Sequence, residues 1–171
     1  MDIRFALQKE HSKENTEKIV EYVGSNDKRL AELMDIFFYE RWELVQRAAW
    51  AVGKLGETTH VLQPYLPQMI QHLQRADLHD AVKRNTIRTW QFMEIPDDYL
   101  GEVADICFEF LKKKQEPVAV KVFSMVVLEK VVHRAPELKD ELKFLIEEQL
   151  PYGTAGFVSR GKKVLNNIAK L

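Results

Sequence analysis

One cysteine in 171 residues leaves no intrachain disulfide and no thiolate metal site with more than one sulfur ligand. That residue, Cys107, lies in the apolar stretch VADICFEF with no histidine or basic residue beside it, so it reads as a buried and unreactive thiol. No apolar run approaches the roughly 20 residues that cross a bilayer. The opening stretch MDIRFALQKEHSKENTEK has neither the basic flank nor the apolar core of a signal peptide, and a cytoplasmic location without membrane contact is expected.

Catalytic and metal-binding patterns are equally scarce. His72, Asp77, His79 and Asp80 are close in sequence, yet they straddle a predicted turn without the fixed helical spacing of a zinc site, and solvated loop residues are expected. Trp90 and Glu94 stand one helical turn apart, but no further group completes a catalytic set. Gly24, Gly53 and Gly56 do not form a phosphate-binding loop and read instead as helix ends and close packing. No enzyme activity and no cofactor are expected. At 46% hydrophobic and 30% charged, the composition is that of an ordinary soluble protein, and a single domain over 1–171 is the expectation.

What the sequence does contain is a repeat. A helix-like segment beginning at Val45 returns at Val82, Val120 and Val158, at intervals of 37, 38 and 38 residues. Three copies keep an apolar or small residue at offsets 0, 4 and 7, on one face of an α-helix: Val45, Ala49 and Val52; Val82, Thr86 and Thr89; Val120, Ser124 and Val127. The fourth carries Lys162 at offset 4, and its apolar face also reads through Phe157, Val164, Leu165 and Ile168, as suits a terminal unit. Between these segments a second set recurs at intervals of 38: Leu66, Ala104 and Leu142; Met69, Cys107 and Leu145; Ile70, Phe108 and Ile146. Each unit is thus a pair of helices.

Prolines 64, 67, 96, 117, 136 and 151 fall at the predicted breaks, where a missing N–H costs nothing. First helices are predicted at about 26–39, 64–75, 97–114 and 137–150, and second helices at about 41–56, 79–94, 117–134 and 154–170. An additional helix at about 12–23, ended by Gly24, precedes them.

The stretch from Trp42 to Glu57, WELVQRAAWAVGKLGE, resembles the second helix of a HEAT repeat at Val45, Arg47, Ala48, Ala49, Ala51, Val52, Gly53, Leu55 and Gly56. The later units keep the period but not the glycines. The resemblance implies an all-α, right-handed α-α superhelix of about four helical hairpins, an armadillo-like solenoid with second helices along a concave face. It implies no activity.

Charge is sorted by helix type. The second helices hold 13 Lys or Arg against 5 Asp or Glu, and the first helices hold 10 against 16. At offsets 1 and 2 every second helix carries a basic residue: Arg47, Lys83 with Arg84, Lys121, and Arg160, with Arg88, Lys162 and Lys163 adding to them. Such a ladder suits an anionic partner, or equally serves to bridge neighbouring repeats. Trp50 and Trp90 interleave with it, either as core residues or as stacking surfaces. The run FFYERW, Phe37 to Trp42, reads as helix packing or as an exposed partner patch. Lys112, Lys113 and Lys114 end a helix, and Glu137, Asp140 and Glu141 begin one, each in accord with the helix dipole.

The first functional expectation is a binding scaffold that holds an acidic protein segment or other anionic partner on this basic face, through Arg47, Lys83, Arg84, Arg88, Lys121, Arg160, Trp50 and Trp90. The alternative is a nucleic-acid binder similar to the HEAT-like alkylpurine DNA glycosylases, with Glu94 the nearest counterpart of their catalytic acid. A third is a structural subunit or maturation factor within a larger assembly.

Overall fold

The computed structural model describes residues 1–171 as ten α-helices with three short 3-10 turns and no strand. Two compact units divide the chain, Met1–Glu94 and Ile95–Leu171.

The first unit contains α1 (Ile3–Lys9), α2 (Lys13–Val23), α3 (Asp27–Tyr39), α4 (Trp42–Thr58), α5 (Leu66–Leu73) and α6 (Asp80–Trp90). Side-chain caps start several of them: Asp2 accepts from the Phe5 amide at 2.8 Å, Ser12 from Asn15 at 3.1 Å and Asn26 from Arg29 at 3.1 Å. Gly24 ends α2 at φ 48°, a conformation that side-chain-bearing residues rarely adopt. The helix α1 was not expected from the repeat pattern. Its signals are short and local: the Asp2 cap and the buried pair Ile3 and Leu7, one turn apart.

The second unit contains α7 (Asp97–Lys112), α8 (Val118–Val132), α9 (Lys139–Gln149) and α10 (Ala155–Ile168). Pro96 and Pro117 occupy the positions just before α7 and α8, and Pro136 and Pro151 lie in 3-10 turns flanking α9. Seven valines make α8 a weak helix former by intrinsic preference, so its helicity comes from burial, with Val120, Val127, Val131 and Val132 all at 1% exposure or less.

The predicted helices follow one another as α3 and α4, α5 and α6, α7 and α8, and α9 and α10; α3 packs on α4, α7 on α8 and α9 on α10, while α6 packs chiefly on α4. Every residue at offsets 0, 4 and 7 in the first three second helices is buried, as are all nine recurring first-helix positions. Two boundaries differ. The chain before α5 tightens into a 3-10 turn at Gln63–Tyr65, and α6 stops at Trp90, short of the predicted residue 94.

The fourth copy shifts register by one residue. Phe157, Gly161, Val164 and Ile168 form its buried face, while Val158 is only half-buried and Leu165 likewise. From Val120 to Phe157 the interval is 37 residues, which removes the apparent conflict of a lysine at offset 4.

Small residues allow α4 and α6 to approach closely. A Cβ on Gly53 would sit 2.5 Å from Asn85 Oδ1, and one on Gly56 would sit 2.5 Å from Thr89 Cγ2. Neither neighbour moves freely, because Asn85 Nδ2 donates to the Ala81 carbonyl at 2.8 Å and Thr89 Oγ1 donates to that of Asn85 at 2.9 Å. Replacing Gly53 or Gly56 with alanine is expected to cost about 1–3 kcal/mol through overpacking. Gly101→Ala and Gly156→Ala, where nothing stands within 4 Å, should instead be neutral or stabilising by up to about 1 kcal/mol. Urea unfolding of the four variants checks both signs.

Candidate functional site

Helical geometry separates the basic residues that the sequence groups together. At about 100° per residue, offset 1 flanks the buried face and offset 2 lies roughly opposite it. Lys121, at offset 1, is accordingly 7% exposed, whereas Arg84, at offset 2, is exposed.

Half of the expected ladder is committed to internal contacts. Arg47 Nη1 donates to the carbonyls of Leu7 at 2.6 Å and Gln8 at 3.0 Å, tying α4 to the end of α1. Arg88 Nε donates to Glu57 Oε1 at 2.6 Å, joining α6 to α4. Lys83 pairs with Asp80 at 3.2 Å, within the first turn of its own helix. Lys121 Nζ donates to Gln149 Oε1 at 2.7 Å, and Gln149 Nε2 in turn donates to the carbonyls of Leu111 and Leu145, each at 3.0 Å. Burial holds the Lys121 amine below the ordinary lysine range, the opposing pull of Glu116 being the smaller influence.

Arg84, Arg160, Lys162 and Lys163 remain. Arg84, Lys162 and Lys163 are exposed and Arg160 is half-buried. The last three belong to α10, and no acidic residue occurs from 154 to 171.

The tryptophans fall out by the same rule. Trp90, at offset 8 on the flank of the buried face, is 0% exposed, so it is a core residue and offers no surface to a partner. Trp50, at offset 5, is half-buried with its ring 5.5 Å from that of His11 and nearly perpendicular at 79°. Glu94 stands exposed beyond the end of α6, its amide and carbonyl both held by the Gln63 side chain at 3.2 and 2.6 Å, and it does not lie one turn below Trp90 on a helix.

In FFYERW both readings hold, residue by residue. Phe37 and Phe38 are core, at 0% and 5% exposure, while Tyr39 at 74% and Trp42 at 62% face outward. Trp42 lies nearly parallel to His79, with ring centroids 6.3 Å apart, and His79 Nδ1 caps α6 by accepting from the Ala81 amide at 3.1 Å.

His72 is not a solvated loop residue as expected. It closes α5 at 6% exposure, edge-on to Phe37 at 5.2 Å and Phe38 at 5.3 Å, with Nδ1 buried and without a hydrogen bond. The sequence signal for this was its place between Ile70 and Leu73 in an amphipathic turn. No group of three His, Cys, Asp or Glu side chains is placed to hold a metal. Cys107 is fully buried, which pushes its thiol well above the ordinary range.

A pocket of about 470 Å3 in the second unit was not foreseen. It lies where the α7–α8 and α9–α10 turns meet and includes Lys121, Gln149 and Phe157 in its walls. Spacing could not reveal it, because its residues come from four helices and two turns.

The profile of the HEAT repeat domain family matches residues 3–168, and this chain belongs to that family. No curated protein and no solved structure matches it significantly. The all-helical architecture is of the HEAT type, a protein-interaction scaffold fold whose members are typically non-catalytic. No helix is long and apolar enough to cross a membrane.

Burial, with a smaller push from Arg75, holds the His72 imidazole down to about 4. An unfolded chain takes up that proton near pH 6.5, so the stabilisation is complete above that pH and is lost as the pH falls toward 4. His72→Phe keeps the aromatic packing and removes the titration. Relative to this variant, the parent protein is expected to lose about 3 kcal/mol between pH 7 and pH 4, read by urea unfolding at the two pH values. Parallel losses in both proteins would contradict the assignment.

Proposed function

We propose that this HEAT-repeat chain is a non-catalytic module that holds an acidic protein segment or another anionic partner through the uncommitted cations of its second helices. Arg84 on α6 in the first unit and Arg160, Lys162 and Lys163 on α10 in the second are the cations proposed to bind, each unit presenting its own. The observation that carries the reading is the division of labour among the basic residues. Arg47, Lys83, Arg88 and Lys121 are bound within the fold, while Arg84, Lys162 and Lys163 stand exposed on helix faces with no structural duty. Solvated cations of this kind attract an anionic surface over distances of about a Debye length.

The chain serves as one domain over 1–171 in this reading, consistent with a family match that runs from 3 to 168. A cytoplasmic setting is part of the same proposal, in keeping with a lone Cys107 that has no partner for a disulfide. Protein is preferred over nucleic acid because Trp90 is buried and offers no face for base stacking.

Binding of a fluorescein-labelled polyglutamate peptide, followed by anisotropy, tests the proposal. The combined variant Arg84→Glu, Lys162→Glu and Lys163→Glu should weaken binding at least tenfold at low salt with the melting temperature unchanged. Equal affinity in variant and parent would refute it. Tighter binding of a labelled DNA duplex than of the peptide would favour the nucleic-acid alternative.

A further inference from the structure

The run FFYERW turns two large aromatic side chains outward, and the proposed function uses neither. Trp42 is 62% exposed and Tyr39 74%. Together with Phe38, Val45 and Val82, Trp42 lines a cavity of about 160 Å3 in the first unit, between the turn joining α3 to α4 and the turn joining α5 to α6. The Tyr39 ring, 5.9 Å from that of Phe38, carries the aromatic surface outward. Aromatic side chains left in water beside a concavity mark contact surfaces.

His72 lines the same cavity at 6% exposure. Its Nδ1 is enclosed without a hydrogen-bond partner, so an occupant reaches the ring through Nε2, which makes no hydrogen bond within the fold either. Most buried polar groups are paired, and one left unpaired destabilises the fold until something supplies the missing bond.

The rest of the wall defines what can supply it. Its three residues of fixed charge are already matched, Glu40 by Arg4 and Arg75 by Asp77 at 3.0 Å, so no net charge invites an ion. An uncharged group fits. His72 is neutral at pH 7, with one nitrogen protonated and one not, and a hydroxyl pairs with Nε2 in either tautomer because it both donates and accepts. The volume is close to the roughly 150 Å3 that holds one benzene ring, and the Trp42 and Phe38 walls suit an aromatic occupant. Ring and hydroxyl together make a phenol. Tyr39 and the exposed part of Trp42 extend beyond the cavity, where residues flanking a tyrosine can rest and a free phenol cannot reach.

We infer that this cavity seats the side chain of one tyrosine from a partner polypeptide, its hydroxyl paired with His72 and its ring held by Trp42 and Phe38. The inference goes beyond the anionic-partner reading and does not rest on it, since none of these residues is a cation of α6 or α10.

The probe is a fluorescein-labelled, otherwise uncharged peptide with a central tyrosine between leucines, titrated by anisotropy into the full chain. It should bind about fivefold more tightly than the same peptide with phenylalanine at the centre, and at least tenfold more tightly than with serine. His72→Phe should bring the tyrosine and phenylalanine peptides within twofold of each other, and Trp42→Ala, an exposed truncation, should weaken the tyrosine peptide at least fivefold. Equal affinity of the tyrosine and phenylalanine peptides for the parent protein overturns the inference, as does an unchanged affinity in Trp42→Ala even if His72→Phe fails to fold. Displacement by free p-cresol at the peptide's own concentration also overturns it, by showing a small-phenol site. So does self-association of the chain that Trp42→Ala abolishes, which gives the cavity to a second copy. Reversing Arg84, Lys162 and Lys163 to glutamate should leave this peptide's affinity within twofold. Loss of binding in that triple variant, with Trp42→Ala unaffected, overturns the tyrosine seat and leaves the anionic-partner reading standing.

Discussion

A helix in a stacked repeat has one face to give to its neighbours, and in this chain the width and direction of that face decide everything else. In the first unit the limit is set by backbone approach: α4 meets α6 across Gly53 and Gly56, where no side chain fits between the helices. Two helices brought that close fix each other's rotation, because turning either one would drive Asn85 or Thr89 into the opposing backbone. Once rotation is fixed, offsets 0, 4 and 7 point inward, offset 1 lies at the margin, and offset 2 points away from the core, where Arg84 is exposed while Arg47 reaches across to α1. In the second unit Gly161 has a similar role, lying where a Cβ would come within 2.9 Å of Ile146.

This rotation sorts a family of like-charged residues into different fates. A basic residue at the margin must find an acceptor or lose its hydration, and Lys121 does so through Gln149. Arg47 bends back to the end of α1, and Arg88 to Glu57 on the preceding second helix. The residues left over are those whose position imposes no such demand, which is why they are the ones assigned to binding. The formal charge of −1 conceals this arrangement, since it sums cations that hold the fold together with cations that do not.

Much of the architecture was legible in the sequence because repetition multiplies a weak signal. One copy of Val45, Ala49 and Val52 is a modest pattern, but three copies at nearly equal intervals, with a second pattern recurring between them, locate the helix pairs and their buried faces. The shift in the last copy was harder to read, since Phe157 and Val158 are adjacent and only packing selects between them. The site was much less legible. Offsets 1 and 2 are neighbours in sequence but about 100° apart on the helix, and grouping them put the buried Lys121 beside the exposed Arg84. Trp90, open in the sequence as either a core residue or a stacking surface, is core, and α1 escaped notice because it stands outside the repeat.

Helix rotation, not residue type, determines which side chains are exposed. Its most direct test is acrylamide quenching of three single-tryptophan proteins that retain Trp42, Trp50 or Trp90, with phenylalanine at the other two positions. Trp42 is expected to emit to the red and quench readily, Trp50 to fall between, and Trp90 to stay blue and protected until the protein unfolds. Quenching of Trp90 as efficient as that of Trp42 in the folded state would contradict the rotation assigned to α6 and the sorting of charges that follows from it.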